Sequence, residues 1–245
     1  MSVAAAFQIG ALVVSAAFAL IRLPLAIRGR NPMLFWALLA ITTAVGLSIP
    51  FIYLPVDALL GGANLANLVL RYATYAMVIL VGACAAAGFS SPWARRFITG
   101  PFGLAVLIVT VVTTTVLFGF CDMPVSSPGL QAYMTQPPVW AYSVTGRLYP
   151  AYIAACLVIP ALRAAATCGR PPVLRIGSAL IGVSLLETIV WSVLWVTGQQ
   201  TGVWDYILPH SSIILLAVGL GFVAIYGVAS KLREKQSLLT PGYTR

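Results

Sequence analysis

The chain has 245 residues, 60% of them hydrophobic and only 8% charged, with a mean hydropathy of +0.98. Soluble domains keep about a quarter of their residues charged, so water is excluded as the main solvent of this chain and lipid is the expected one. The formal charge of +9 is scattered through short gaps between apolar runs instead of being grouped on a folded polar face, which excludes a nucleic-acid binder.

Crossing the hydrocarbon layer takes about 20 apolar residues in a helix. Seven runs qualify: 5–27, 33–54, 64–88, 101–121, 139–165, 173–197 and 207–230. The expected fold is therefore all-α, a polytopic membrane protein with seven transmembrane helices. One transmembrane domain covers 1–230, and a short basic tail covers 231–245.

The first run has no basic residue before it, and Arg22, Arg28 and Arg30 close or follow it. A cleaved signal peptide has the reverse order, so an uncleaved first helix is expected. The second run carries Trp36 and Tyr53 at its two ends, as aromatic belts do, and Asp57 follows it. In the third run Asn64, Asn67, Arg71 and Tyr75 recur at steps of three and four. That spacing draws one polar stripe along a helix. Arg95 and Arg96 lead into the fourth run, whose Thr113, Thr114 and Thr115 can bond back to their own helix. The fifth run carries Tyr142, Ser143, Arg147, Tyr149 and Tyr152. The sixth carries Ser184, Glu187, Thr188 and Trp191, with Trp195 assigned to the same kind of belt as Tyr53. His210 opens the seventh, where Ala217 and Gly221 form a small-xxx-small face suited to close packing.

Of the 14 basic residues, 12 fall at the first helix end, in alternate loops and in the tail. The opposite loops carry Asp57, Asp122 and Asp205. The positive-inside rule then places the N-terminus outside and the C-terminus in the cytoplasm of a plasma or inner membrane. The tail, with Lys231, Arg233, Lys235 and Arg245, is expected to be a plain topology anchor; the alternative is that its cations rest on anionic headgroups at about 1 kcal/mol each. If the protein is a sensor, the tail contacts a protein partner in the cytosol.

The two remaining basic residues, Arg71 and Arg147, lie inside runs, as does Glu187. At about 1.5 Å per residue, they lie about 10, 12 and 15 Å from the outer ends of their helices. A lone charge at mid-bilayer costs about 2.5–3.5 kcal/mol, and such residues usually turn inward and pair. Glu187 is therefore expected to meet Arg147, Arg71 or both, with about one positive charge left over for carbonyls, water or an anionic ligand. Asn67, Tyr75, Tyr149 and His210 are expected to line an outer vestibule around this cluster, and the cluster is either a ligand site or glue between helices.

Enzyme chemistry is not expected. The sequence has no H-E-x-x-H, no G-x-S-x-G, no P-loop and no paired carboxylates. Its only lysines, Lys231 and Lys235, lie in the tail, so no retinal Schiff base can form within the helices. Cys84, Cys121, Cys156 and Cys168 have no C-x-x-C spacing, so neither a metal nor a disulfide is expected. No cofactor is expected either.

The runs "PVDALLGGANLANLVLRYATYAMVILVGACAAA", "PVWAYSVTGRLYPAYIAACLVIPALRAA" and "RPPVLRIGSALIGVSLLETIVWSVLWV" together resemble the membrane part of an actinobacterial family of transporters. The resemblance implies seven helices followed by a cytosolic domain. Only fifteen residues follow Ser230, so the expectation is that the domain is missing or replaced by a separate protein. The expected function is a transporter or receptor of a small anionic or amphipathic ligand entering from outside. The alternatives are a membrane-embedded sensor or interaction subunit, and a structural component of a larger complex.

Overall fold

The computed structural model describes residues 3–29, 32–199, 202 and 204–239. Arg30 and Arg245 lie outside them, as do the side chains of Tyr206, Lys231, Arg233 and Lys235. The described residues form helices and no strands: α1 (Val3–Ile27), α2 (Pro32–Gly46), α3 (Pro50–Leu59), α4 (Leu65–Gly88), α5 (Pro92–Thr99), α6 (Pro101–Gly119), α7 (Pro137–Ala166), α8 (Pro172–Val196) and α9 (Trp204–Leu239). Six helical stretches among them are long and apolar enough to cross a membrane, or seven if α2 and α3 count as one broken span.

That pair departs from the expected second span. The run 33–54 does not stay straight, because α2 stops at Gly46 and α3 leaves it at an angle of 91°. Pro50 opens α3, where a missing N–H costs nothing, and Ile49 before it is extended (φ −90°, ψ 125°), as the residue before proline prefers. At 15 residues, α2 rises only about 22 Å, short of the roughly 30 Å hydrocarbon layer.

Six helices pack in a closed ring in the order α1, α2, α4, α7, α8, α9 and back to α1. The α5 and α6 helices lie outside it, against α4 and α7. Thr114 and Thr115 help to hold them there. Thr115 does bond back to the Val111 carbonyl, but its hydroxyl also meets Tyr72, while Thr114 meets Tyr75. Helices α8 and α9 approach each other closely at Gly177 and Gly219. A Cβ on Gly219 would stand 2.8 Å from the Gly177 carbonyl oxygen, so only glycine permits this approach. Gly221, in the small-residue face read from the sequence, instead receives the Phe18 ring of α1.

Short connections put Arg28, Arg95, Arg96, Arg163 and Arg170 at one end of the bundle, here the basic end. The other end, here the acidic end, carries Asp57, Asp122 and Asp205.

Candidate ligand cavity

The acidic end is tied together before any cavity is reached. Asn64 sits just ahead of α4 in the left-handed region (φ 56°), one of the few residue types that tolerates it. It is fully buried. Its amide donates to the carbonyls of Met123 and Val125, and its Oδ1 accepts from the Tyr53 hydroxyl and the Ser127 N–H. Asp57, also fully buried, accepts from the backbone N–H groups of Asn64 and Ala66 and from the Ser126 hydroxyl. A carboxylate at a helix N-terminus satisfies orphan donors and complements the helix dipole. One turn along, Asn67 accepts from the Tyr142 hydroxyl at 2.9 Å. These bonds latch the 122–136 connection onto α3, α4 and α7.

Two expectations change here. Tyr53 is buried in the latch, with 1% of its surface exposed, because its hydroxyl has a partner inside the protein. Asn64 belongs to the latch and not to a stripe along α4, because the helix begins only at Leu65. Nothing in the helical spacing signals this. The usable signal was the sequence Asp57-x-x-x-Gly61-Gly62-x-Asn64, in which two glycines and an Asn mark a turn whose backbone donors need an acceptor.

Inside the ring, toward the acidic end, lies a cavity of about 830 Å³. Binding pockets for small molecules span about 300–1,000 Å³. All six ring helices contribute: Gln8 and Ile9 from α1, Ile41 and Val45 from α2, Asn67 and Arg71 from α4, Gly146 and Arg147 from α7, Trp191 and Trp195 from α8, Asp205 and His210 from α9.

Arg147 is 8% exposed. Its guanidinium donates to the Ser143 carbonyl one turn back and lies over two indoles, 3.7 Å from the Trp195 centroid and 4.8 Å from that of Trp191. Its Nε is buried without an acceptor, as are both indole N–H groups. Arg71 lies 5.4 Å from the Tyr142 ring centroid, and its Nε is also buried without an acceptor. Gly146 makes room for it. A Cβ on Gly146 would fall 2.6 Å from the Arg71 Nη1, so one guanidinium rests on the backbone of the residue next to the other. Trp195 is thus a wall of the site, 4% exposed, and not part of a lipid-facing belt. Trp36, Trp140 and Trp204 are well exposed, as belt residues are.

The expected pairing of Glu187 with the arginines does not form among the described residues. Its carboxylate accepts from Ser211 of α9 at 3.0 Å and lies outside the cavity wall. The reason is directional. Side chains on a helix lean toward its N-terminus. Helix α7 starts at the acidic end, so Arg147 leans back toward that end, as its bond to Ser143 records. Helix α8 starts at the basic end, so Glu187 leans the opposite way. Equal depth of the Cα atoms therefore separates the charged heads. Both arginines sit on helices that start at the acidic end, and they lean together.

Of the remaining expected site residues, Asn67 and His210 line the cavity, while Tyr75 and Tyr149 do not. Those two rings meet edge to face at 5.5 Å between α4 and α7, and Tyr75 directs its hydroxyl to Thr114. The described residues include no group of three or more metal-ligating side chains.

Comparison with protein-family models, curated proteins and solved structures finds no match to this chain. The functional reading therefore rests on the geometry of the cavity.

Proposed function

We propose that this chain is a multi-pass protein of the plasma or inner membrane, with its N-terminus and acidic end outside, and that the central cavity binds a small anionic or amphipathic ligand arriving from that side. Arg28, Arg95, Arg96, Arg163 and Arg170 at the other end support the orientation through the positive-inside rule. The observation that carries the ligand reading is the pair of guanidiniums on one cavity wall, each with a buried Nε lacking an acceptor. Buried charge is retained when it is paired or when it has a function. Here Glu187 bonds elsewhere, and Asp205 on the same wall offsets one of the two cations, which leaves one positive charge in excess. Planar, multiply donating guanidiniums suit a carboxylate or phosphate, and the indole and phenol faces around them suit an apolar body.

A transporter and a receptor differ in the accessibility of this cavity. In a chain with its four native cysteines replaced, a cysteine at Leu70, which lines the cavity, is expected to react with a membrane-impermeant thiol reagent from outside and, in a transporter, from the cytoplasmic side as well. Labelling from the cytoplasmic side alone contradicts the proposed orientation, and labelling from outside alone makes the protein a receptor.

A further inference from the structure

Resting on that reading, we propose that the ligand is an anionic amphiphile, a phosphate or carboxylate headgroup carrying an acyl chain, and that it enters sideways from the leaflet at the acidic end, through the gap left by the bend between α2 and α3. The argument starts from length. Helix α2 ends at Gly46 after 15 residues and the chain turns by 91°, so the ring lacks one helix wall over the last turns toward the acidic end. Helix α3 refills the wall only in part: Pro50, Phe51 and Tyr53 line the cavity, but the helix runs across the gap at 91° to α2 and not along it. It packs on α4 and the 128–133 segment and turns Phe51, Leu54 and Leu59 outward at 86%, 45% and 87% exposure. An apolar face of that kind lies in a headgroup boundary.

The cavity runs into this gap. Its wall includes Arg71 and Arg147, Ile41 and Val45, and Ile9 and Phe51, and the last two are also exposed on the outer surface. One space therefore carries two cations on its wall and exposed apolar side chains beside the gap. That polarity matches a molecule with an anionic head and an apolar chain. A side entrance also suits such a molecule kinetically. Every methylene drawn through water on the way to a watery entrance weakens the approach about fourfold, whereas a chain passing through the gap stays among apolar groups. A fully water-soluble anion would have no use for the apolar mouth.

The test uses the full chain in phosphatidylcholine nanodiscs, titrated calorimetrically with dodecyl phosphate, inorganic phosphate and dodecylphosphocholine. Dodecyl phosphate is expected to bind at least about tenfold more tightly than either of the others. Arg147→Gln weakens both phosphates, with Arg147→Lys recovering part of the loss. Ile9→Trp, which fills the mouth from an exposed position on α1, weakens dodecyl phosphate about tenfold more than it weakens inorganic phosphate. If the two phosphates bind equally well and Ile9→Trp changes neither, the side entrance is wrong and the arginine site stands. If dodecylphosphocholine matches dodecyl phosphate and Arg147→Gln changes nothing, both the amphiphile and the anion site are wrong.

Discussion

The Arg147 guanidinium stands 3.7 Å from the centroid of the Trp195 ring. A ring face attracts a cation through its quadrupole, worth about 2 kcal/mol when the pair is desolvated, but it does not neutralise the charge. Trp195 therefore makes a buried arginine tolerable without cancelling its charge; Asp205 on the same wall offsets one of the two cations, Arg71 and Arg147, and one positive charge is left for a ligand. Trp195→Leu is expected to lower stability by about 3 kcal/mol through lost packing and lost cation–π attraction, and to weaken phosphate binding. Trp195→Phe keeps a ring face and is expected to retain most of both. Thermal unfolding and calorimetric titration of the two variants check this.

Glu187 accepts from Ser211 and is half-buried. Glu187→Gln is expected to cost less than about 1 kcal/mol, the worth of one ordinary hydrogen bond. The double exchange Arg147→Glu with Glu187→Arg is expected to be no more stable than Arg147→Glu alone, since the two heads do not meet. Thermal midpoints of the single and double variants decide the point, and a clear rescue would restore the ion pair.

The acidic-end latch depends on Asn64, whose side chain makes four hydrogen bonds. Asn64→Ala leaves buried carbonyls and an N–H without partners and places alanine at φ 56°. A loss of about 3 kcal/mol is expected. Asp57→Asn keeps the shape, loses the favourable charge at the α4 N-terminus, and is expected to cost about 1 kcal/mol. Hydrogen exchange would show the loss concentrated in the 122–136 connection.

Much of this molecule can be read from the sequence, and what escaped did so for identifiable reasons. Long apolar runs gave the helices because lipid imposes both composition and length. Pro50 signalled the bend in 33–54, because the residue before a proline avoids the helical conformation, but length and hydropathy alone read straight through it. Arg71 and Arg147 were legible as site residues because charge inside an apolar run stands out. Their relation to Glu187 was misjudged, because residue depth locates a Cα and says nothing of the direction in which a long side chain leans. The position of Trp195 in the chain matches an interfacial belt, and only the three-dimensional packing turns it inward onto Arg147. Asp57 looked like a loop charge and is a helix cap, because capping depends on a turn of several residues and not on periodicity.

Gly146 holds the Arg71 guanidinium against α7, with 2.6 Å between its would-be Cβ and the Arg71 Nη1. The end of an arginine can swing away, so Gly146→Ala is expected to fold at a cost of about 1–2 kcal/mol. Displacing that guanidinium from its place beside Arg147 is expected to weaken phosphate binding about tenfold. Calorimetry on the folded variant separates the two effects.

The central claim is that Arg147 is held ready for an anion and is not part of the scaffold. Arg147→Met tests it most directly, because methionine keeps the side chain's bulk and removes the buried charge. A buried charge held without a carboxylate bonded to it carries a desolvation cost that an apolar side chain does not. The expected result is a thermal midpoint in the absence of ligand that is unchanged or raised, with the stabilisation normally given by phosphate or dodecyl phosphate abolished. A fall corresponding to about 3–5 kcal/mol, the usual cost of breaking a buried pair, together with intact phosphate stabilisation, would contradict the account.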